Sequence, residues 1–420
     1  MHLVVVSTFP PRRCGLATFA ADLRGALHAN EPRWQVDIHA VDRDGLTYGP
    51  DVSGTIRQDD PADYRRAARD IAAARPDLVV IQHEYGIFGG ADGGYAGELA
   101  AGLRAHGVPY AVTLHTVLSA PTAGQRAAVA RLCRDATLVT CFTATARRIA
   151  AVTGMADPDR TVVVPHGVPV CLATAPGGAP AGPDSPVGPV LRRTLAALGD
   201  APVLSTFGLL RPGKGLETAV RAMPAVVACH PEVRYVIAGA THPETLRARG
   251  ETYRDSLRAL ADDLGVAGQV RFVDAFLSEP ELAVLLARTD VYLTPYRTTQ
   301  QSCSGALTFA LAAGCPVVST RYPYAVDLLG QATGPPRGAL VPFDDPAAFG
   351  EAVLELLGDP PRLTAARAAA AEFGATLTWP SVGARFVAAF AGGGPPRPPA
   401  PPVPPPAPAG AATLLRLSGG

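Results

Sequence analysis

Two cations, Arg211 and Lys214, stand in the loop of FGLLRPGKGLE, between an apolar run and a helical pattern. A cation pair just ahead of a helix start can neutralise a diphosphate, with or without a metal. The loop is not a P-loop, because Gly215 follows Lys214 where that motif requires Ser or Thr. Gly208 and Gly213 allow its backbone to approach a ligand closely. A second anion device lies in QSCSGALTFALAAGCPVVST, residues 301–320. Its spacing predicts a short helix from Gly305 to Ala313, with Gly314 in a left-handed cap and Pro316 forbidding continuation. Ser304 suits the N-cap. Gly305 has no side chain to cover the first turn, so the amides of Gly305 and Ala306 can face anionic oxygen, with Ser302 and Gln301 beside them.

The N-terminal half offers hydroxyl-binding groups instead. STFPPRRCGLATF places Arg12, Arg13 and Gly15 where a strand passes into a helix, a second helix start open to a ligand. QHEYGIFGG ends another apolar run with His83 and Glu84, which point in opposite directions on a strand. His115 ends the run YAVTLHTV, and His166, in PHGV, reads as a hinge or structural group. Asp42 and Asp44 before Gly45 read as a turn rather than a metal site. No G-x-G-x-x-G follows the first strand, and no His/Cys cluster suggests zinc.

These groups matter only if the chain brings them to one edge. Apolar, β-branched runs alternate with helical patterns almost throughout, the mark of parallel sheets covered on both faces. In such sheets ligands bind beyond the carboxyl ends of the strands, where each of these residues falls. The first series of strands is 2–9, 34–42, 77–85, 110–117, 136–142 and 161–168; the second is 202–208, 233–240, 269–276, 291–296, 316–320 and 338–343. The expected organisation is α/β: a first domain over 1–172, a Pro/Gly-rich linker over 173–189 and a second domain over 190–391. The last helices have the option of packing back on the first domain, and residues 392–420 form a Pro-rich tail expected to be disordered.

The totals bound the partners. The 420 residues carry 37 basic and 37 acidic side chains, a balance that argues against nucleic acid but not against one small phosphate ligand. Seven scattered cysteines without a C-x-x-C pair suit a reducing cytoplasmic setting. No run reaches the ~20 apolar residues of a membrane helix, which leaves peripheral membrane contact open.

In their order and spacing FGLLRPGKGLE, VIAGATHP, SGALTFALAAGCPVVST and FPPRRCGLATF resemble the retaining family 4 glycosyltransferases, over roughly residues 1–390. The resemblance implies two facing Rossmann-like domains (the GT-B fold) with the active site between them. It implies a UDP- or GDP-linked sugar donor in the second domain, a hydroxyl acceptor in the first, and neither metal nor cofactor. Lys214 matches the family lysine on the diphosphate, Arg211 stands near the place of its arginine, and His115 matches its histidine near the donor sugar. Two family glutamates eight positions apart are replaced by Gln301 and Phe309. Gln301 can still bond a sugar hydroxyl; Phe309 cannot accept from ribose. The replacements leave two other readings open, a non-catalytic sugar-nucleotide binder and a GT-B sugar-nucleotide epimerase.

Overall fold

The computed structural model describes residues 1–173, 187–330 and 334–392. The expected linker lies mostly, and the Pro-rich tail almost wholly, outside them. The first domain is built on β1 (His2–Ser7), β2 (Gln35–Asp42), β3 (Val52–Arg57), β4 (Leu78–His83), β5 (Tyr110–Leu114), β6 (Leu138–Cys141) and β7 (Thr161–Val163). The second is built on β8 (Val203–Phe207), β9 (Arg234–Ala238), β10 (Val270–Val273), β11 (Val291–Thr294), β12 (Val317–Thr320) and β13 (Gly338–Val341). Every recorded pair is parallel, in the orders β3-β2-β1-β4-β5-β6-β7 and β10-β9-β8-β11-β12-β13. Both orders reverse direction beside their first strand, the switch point at which open α/β sheets bind ligands.

The apolar runs are continuous because both sheet faces are covered. Leu3 and Val5 join one core cluster, and Val4 and Val6 join another. The helix Gly15–Asn30 covers one face with Ala20, Leu23, Ala26 and Leu27, a three- and four-residue spacing that makes a single apolar stripe. The short helix Gly305–Ala312 is buried from Leu307 to Ala312, which explains why it is apolar on all sides.

The sequence reading missed β3. In VSGTIR only Ile56 is buried, so this edge strand lacks the apolar run that betrays its neighbours. Asp42 is indeed a turn former: its carboxylate accepts the amides of Asp44 and Leu46. The turn also meets the second domain, where Asp44 pairs with Arg247 at 3.1 Å and Arg43 with Glu244 at 3.5 Å.

The domains are joined closely. One core cluster runs from Leu3, Phe19 and Leu23 to Leu307, Phe309 and Phe386. The last helix, Trp379–Phe390, packs on the helix Gly15–Asn30, and Trp379 Nε1 donates to Asp22 at 2.9 Å. Val168 and the Leu377–Trp379 segment exchange backbone hydrogen bonds, 2.8 and 2.9 Å long. His166 lies in this joint, buried, with Nδ1 2.7 Å from Gly167 O.

Candidate active site

The cation loop and the Gly305 helix meet at the carboxyl ends of β8 and β11. Gly215, left-handed at φ +59°, turns the loop into the helix Leu216–Cys229; a Cβ there would lie 2.2 Å from Pro295 O. Lys214 is thereby laid over β11, and its ammonium donates to Tyr296 Oη at 2.7 Å. It also lies 4.6 Å from the Tyr296 ring centroid. Burial opposes ionisation of this phenol, but the Lys214 charge and hydrogen bond, with help from Ser304 and Arg211, pull its pKa below the usual tyrosine value. Arg211 is exposed, and Gly213 O accepts the Arg297 amide at 3.2 Å. Gly208 follows β8 beside the cation: a Cβ there would stand 3.3 Å from Lys214 Nζ.

Ser304 is the N-cap of the Gly305 helix. Its Oγ accepts the Leu307 amide at 3.2 Å and its carbonyl the Thr308 amide at 3.1 Å. The amides of Gly305 and Ala306, in the first turn, have no intrahelical acceptor. Tyr296 thus lies between a cation and an open helix start, both able to take an anion. Sequence reasoning missed Tyr296. Its one signal was position, since it follows a strand end as the other site residues do.

Ser302 is buried, and its Oγ accepts the Val117 amide of the first domain at 2.7 Å. Gln300 Oε1 accepts the Ala120 amide at 3.1 Å. Gln301 donates its Nε2 to Cys303 O. Phe309 is buried, 6.4 Å from Phe207 and nearly parallel to it, and 6.0 Å from His166.

Of the first-domain residues, Val117 and Ala120 bond the approach to the Gly305 helix directly, and His166 Nε2 stands 3.3 Å from where a Cβ on Gly305 would lie. Glu84 accepts the Tyr85 amide at 2.9 Å and the Thr116 hydroxyl. Burial raises its pKa, while these bonds and the Arg211 charge from across the cleft pull it back. His115 is buried against Phe19 at 4.7 Å and Phe142 at 5.0 Å, with Nε2 2.7 Å from Gln82 Oε1. Burial holds its pKa well below the ordinary histidine value. His83 falls on the sheet face of Ile81, packed on Tyr85 and Phe88, and burial lowers its pKa to about 4. Strand alternation therefore parts it from Glu84. Gly15 opens its helix after Cys14, which makes no side-chain cap, while Arg12 donates to Val41 O and Gln58 Oε1.

Cavities of 160 and 330 Å³, lined by Arg104 and Tyr110 and by Met155 and Arg160 respectively, meet at Arg134 and share no residue with this centre. Among the described residues no group of three or more His, Cys, Asp or Glu could hold a metal ion. Among them, too, no helix is long and apolar enough to cross a membrane.

Two parallel-sheet Rossmann-like domains with a cleft at their strand ends define the GT-B architecture. Solved structures share it: Anabaena HepE in complex with UDP-glucose has a TM-score of 0.71 at 14% identity, over 93% of this chain and 99% of that one. Sucrose-phosphate synthase from Thermosynechococcus elongatus has a TM-score of 0.71 at 16% identity, with the same coverage. The model for Glycosyltransferase Family 4 matches residues 14–170, and that for Glycosyl transferases group 1 matches residues 201–359. The chain belongs to the family 4 glycosyltransferases. A D-inositol 3-phosphate glycosyltransferase of Corynebacterium efficiens is 34% identical over 49% of this chain and 44% of its own. A GDP-mannose-dependent phosphatidylinositol monomannoside mannosyltransferase of Mycolicibacterium smegmatis is 27% identical over 86% and 91%. The matches to the first two curated relatives span about half of those proteins, 44% and 48%.

Proposed function

We propose that the protein transfers a sugar from a nucleotide-diphosphate donor to a hydroxyl acceptor, with retention at the anomeric carbon and without a metal or cofactor. The observation that carries this reading is the convergence of Lys214 and the open start of the Gly305 helix on Tyr296. A departing diphosphate gains negative charge as the glycosidic bond breaks. Lys214, Arg211 and the amides of Gly305 and Ala306 stabilise that charge, and one such contact contributes about 3 kcal/mol to the barrier. Gly208 and Gly213 let the loop approach the donor, and Ser302, Ser304 and Gln301 surround it. His115 orients the sugar, while Glu84 and the Gly15 helix start receive the acceptor from the first domain. His83, buried on the other face of β4, supports that loop rather than touching the acceptor.

The donor is a UDP- or GDP-linked sugar. HepE binds UDP-glucose, and the mannosyltransferase is named for GDP-mannose. Turnover of labelled UDP-, GDP- and ADP-sugars, with Lys214→Ala as control, tests the reading. Transfer by the wild type and its collapse in the variant are the expected result. Binding of nucleotide with neither transfer nor hydrolysis would defeat it. That outcome would favour a non-catalytic binder, a reading supported by the apolar Phe309 among Phe207 and His166. Acceptor-independent release of a free epimer would point to an epimerase.

A further inference from the structure

We infer that Gln82 is a positioning residue for His115: it holds the imidazole in the Nε2–H tautomer, leaving Nδ1 to accept a hydrogen bond from a substrate hydroxyl. The inference rests on the glycosyl-transfer reading above. Gln82 stands one residue before the end of β4, fully shielded from water, on the strand paired with β5. His115 N donates to His83 O at 3.0 Å and so continues that pairing one residue beyond β5. Gln82 Oε1 is 2.7 Å from His115 Nε2. An amide oxygen only accepts, so the hydrogen lies on Nε2.

A neutral imidazole carries one N–H, so Nδ1 keeps its lone pair. Burial keeps the ring neutral, and His166 and His83, the titratable groups that bear on it, act in the same direction. Phe19 and Phe142, edge-on to the ring, fix its plane. With Nε2 committed to Gln82, Nδ1 is the ring atom free to act as an acceptor.

Gln82 is a costly choice for packing alone. Among the described residues its Nε2 has no partner, and neither does the buried Ser7 Oγ at the end of the adjacent β1. An apolar side chain of similar volume would fill the place without an unpaired amide. What the glutamine contributes is its bond to His115.

The full chain, with its histidines labelled in 15N, tests the tautomer by NMR. The His115 signal should show hydrogen on Nε2, and Gln82→Leu, or Gln82→Met should the first variant fold poorly, should shift it towards a mixture. In donor turnover the same variants should lower kcat about tenfold. The UDP or GDP dissociation constant should not change, and a His115→Ala background should show no further loss. Gln82→Glu sets a carboxylate beside the ring and favours imidazolium. Its activity should fall on the acid side of the raised His115 pKa, where the wild type stays flat. An unchanged tautomer in the apolar variants, equal losses with and without His115, or an unaltered pH profile in Gln82→Glu would each overturn the inference. A wild type that turns over no donor would defeat the glycosyl-transfer reading alone, because the tautomer is still read by NMR.

Discussion

The ammonium of Lys214 is bonded at 2.7 Å to the hydroxyl of Tyr296, a residue of the same domain 82 positions further along the chain. On the proposed reading, the cation meant for a diphosphate has a protein partner from which the ligand must take it. Lys214→Ala should lower donor turnover by about 10²- to 10³-fold, near 3 kcal/mol. Tyr296→Phe should bind UDP or GDP a few-fold more tightly and lose about 1 kcal/mol of stability. Calorimetric titration and denaturant unfolding check the pair.

Gly305 permits a sharper separation of folding from binding. Gly305→Asp puts a carboxylate in the first turn of a helix, where it favours the helix by about 0.3–1 kcal/mol. The same charge repels a diphosphate. A Cβ at this position meets His166 Nε2 at 3.3 Å, tight but not prohibitive. The variant should melt near the wild-type temperature and show no thermal shift with UDP or GDP.

Asp22 links stability to pH across the domain joint. Burial first, and then the neighbouring Glu279, raise its pKa from 3.8 to about 7. The folded state therefore holds a proton that the unfolded chain has lost between pH 4 and 7. Stability should fall as pH rises through that window and level off above it. Asp22→Asn keeps an acceptor for Trp379 and should flatten the slope, melting higher than wild type at pH 8. Melting temperatures from pH 5 to 8 decide it.

Arg254 braces the end of β9. It is 1% exposed, donates to Gly239 O at 3.0 Å and Asp274 Oδ1 at 2.6 Å, and pairs with Glu251 at 3.1 Å. Arg254→Met should cost about 2–3 kcal/mol in urea unfolding, because three acceptors lose their donor together.

The sequence made the two sheets legible because β-branched runs buried on both faces look like nothing else. It failed at β3, whose edge position needs only one buried residue, Ile56. The Ser304 cap and the left-handed Gly314 were readable because helix ends are local chemistry. Tyr296 and Gln82 were not, since each acquires its role from a partner on another segment. His83 shows the limit from the other side: its type suggested a ligand contact, while the pleat turned it into the core against Phe88.

The bonds from Ser302 to Val117 and from Gln300 to Ala120 tie the approach to the Gly305 helix to the opposite domain. Swinging one lobe outward must pull on the short peptide that ends at Ser304, and so on the cradle it leads into. On the proposed transfer reading, the hold on a pyrophosphate would follow the interlobe angle, firm when the jaws are shut and slack when they gape.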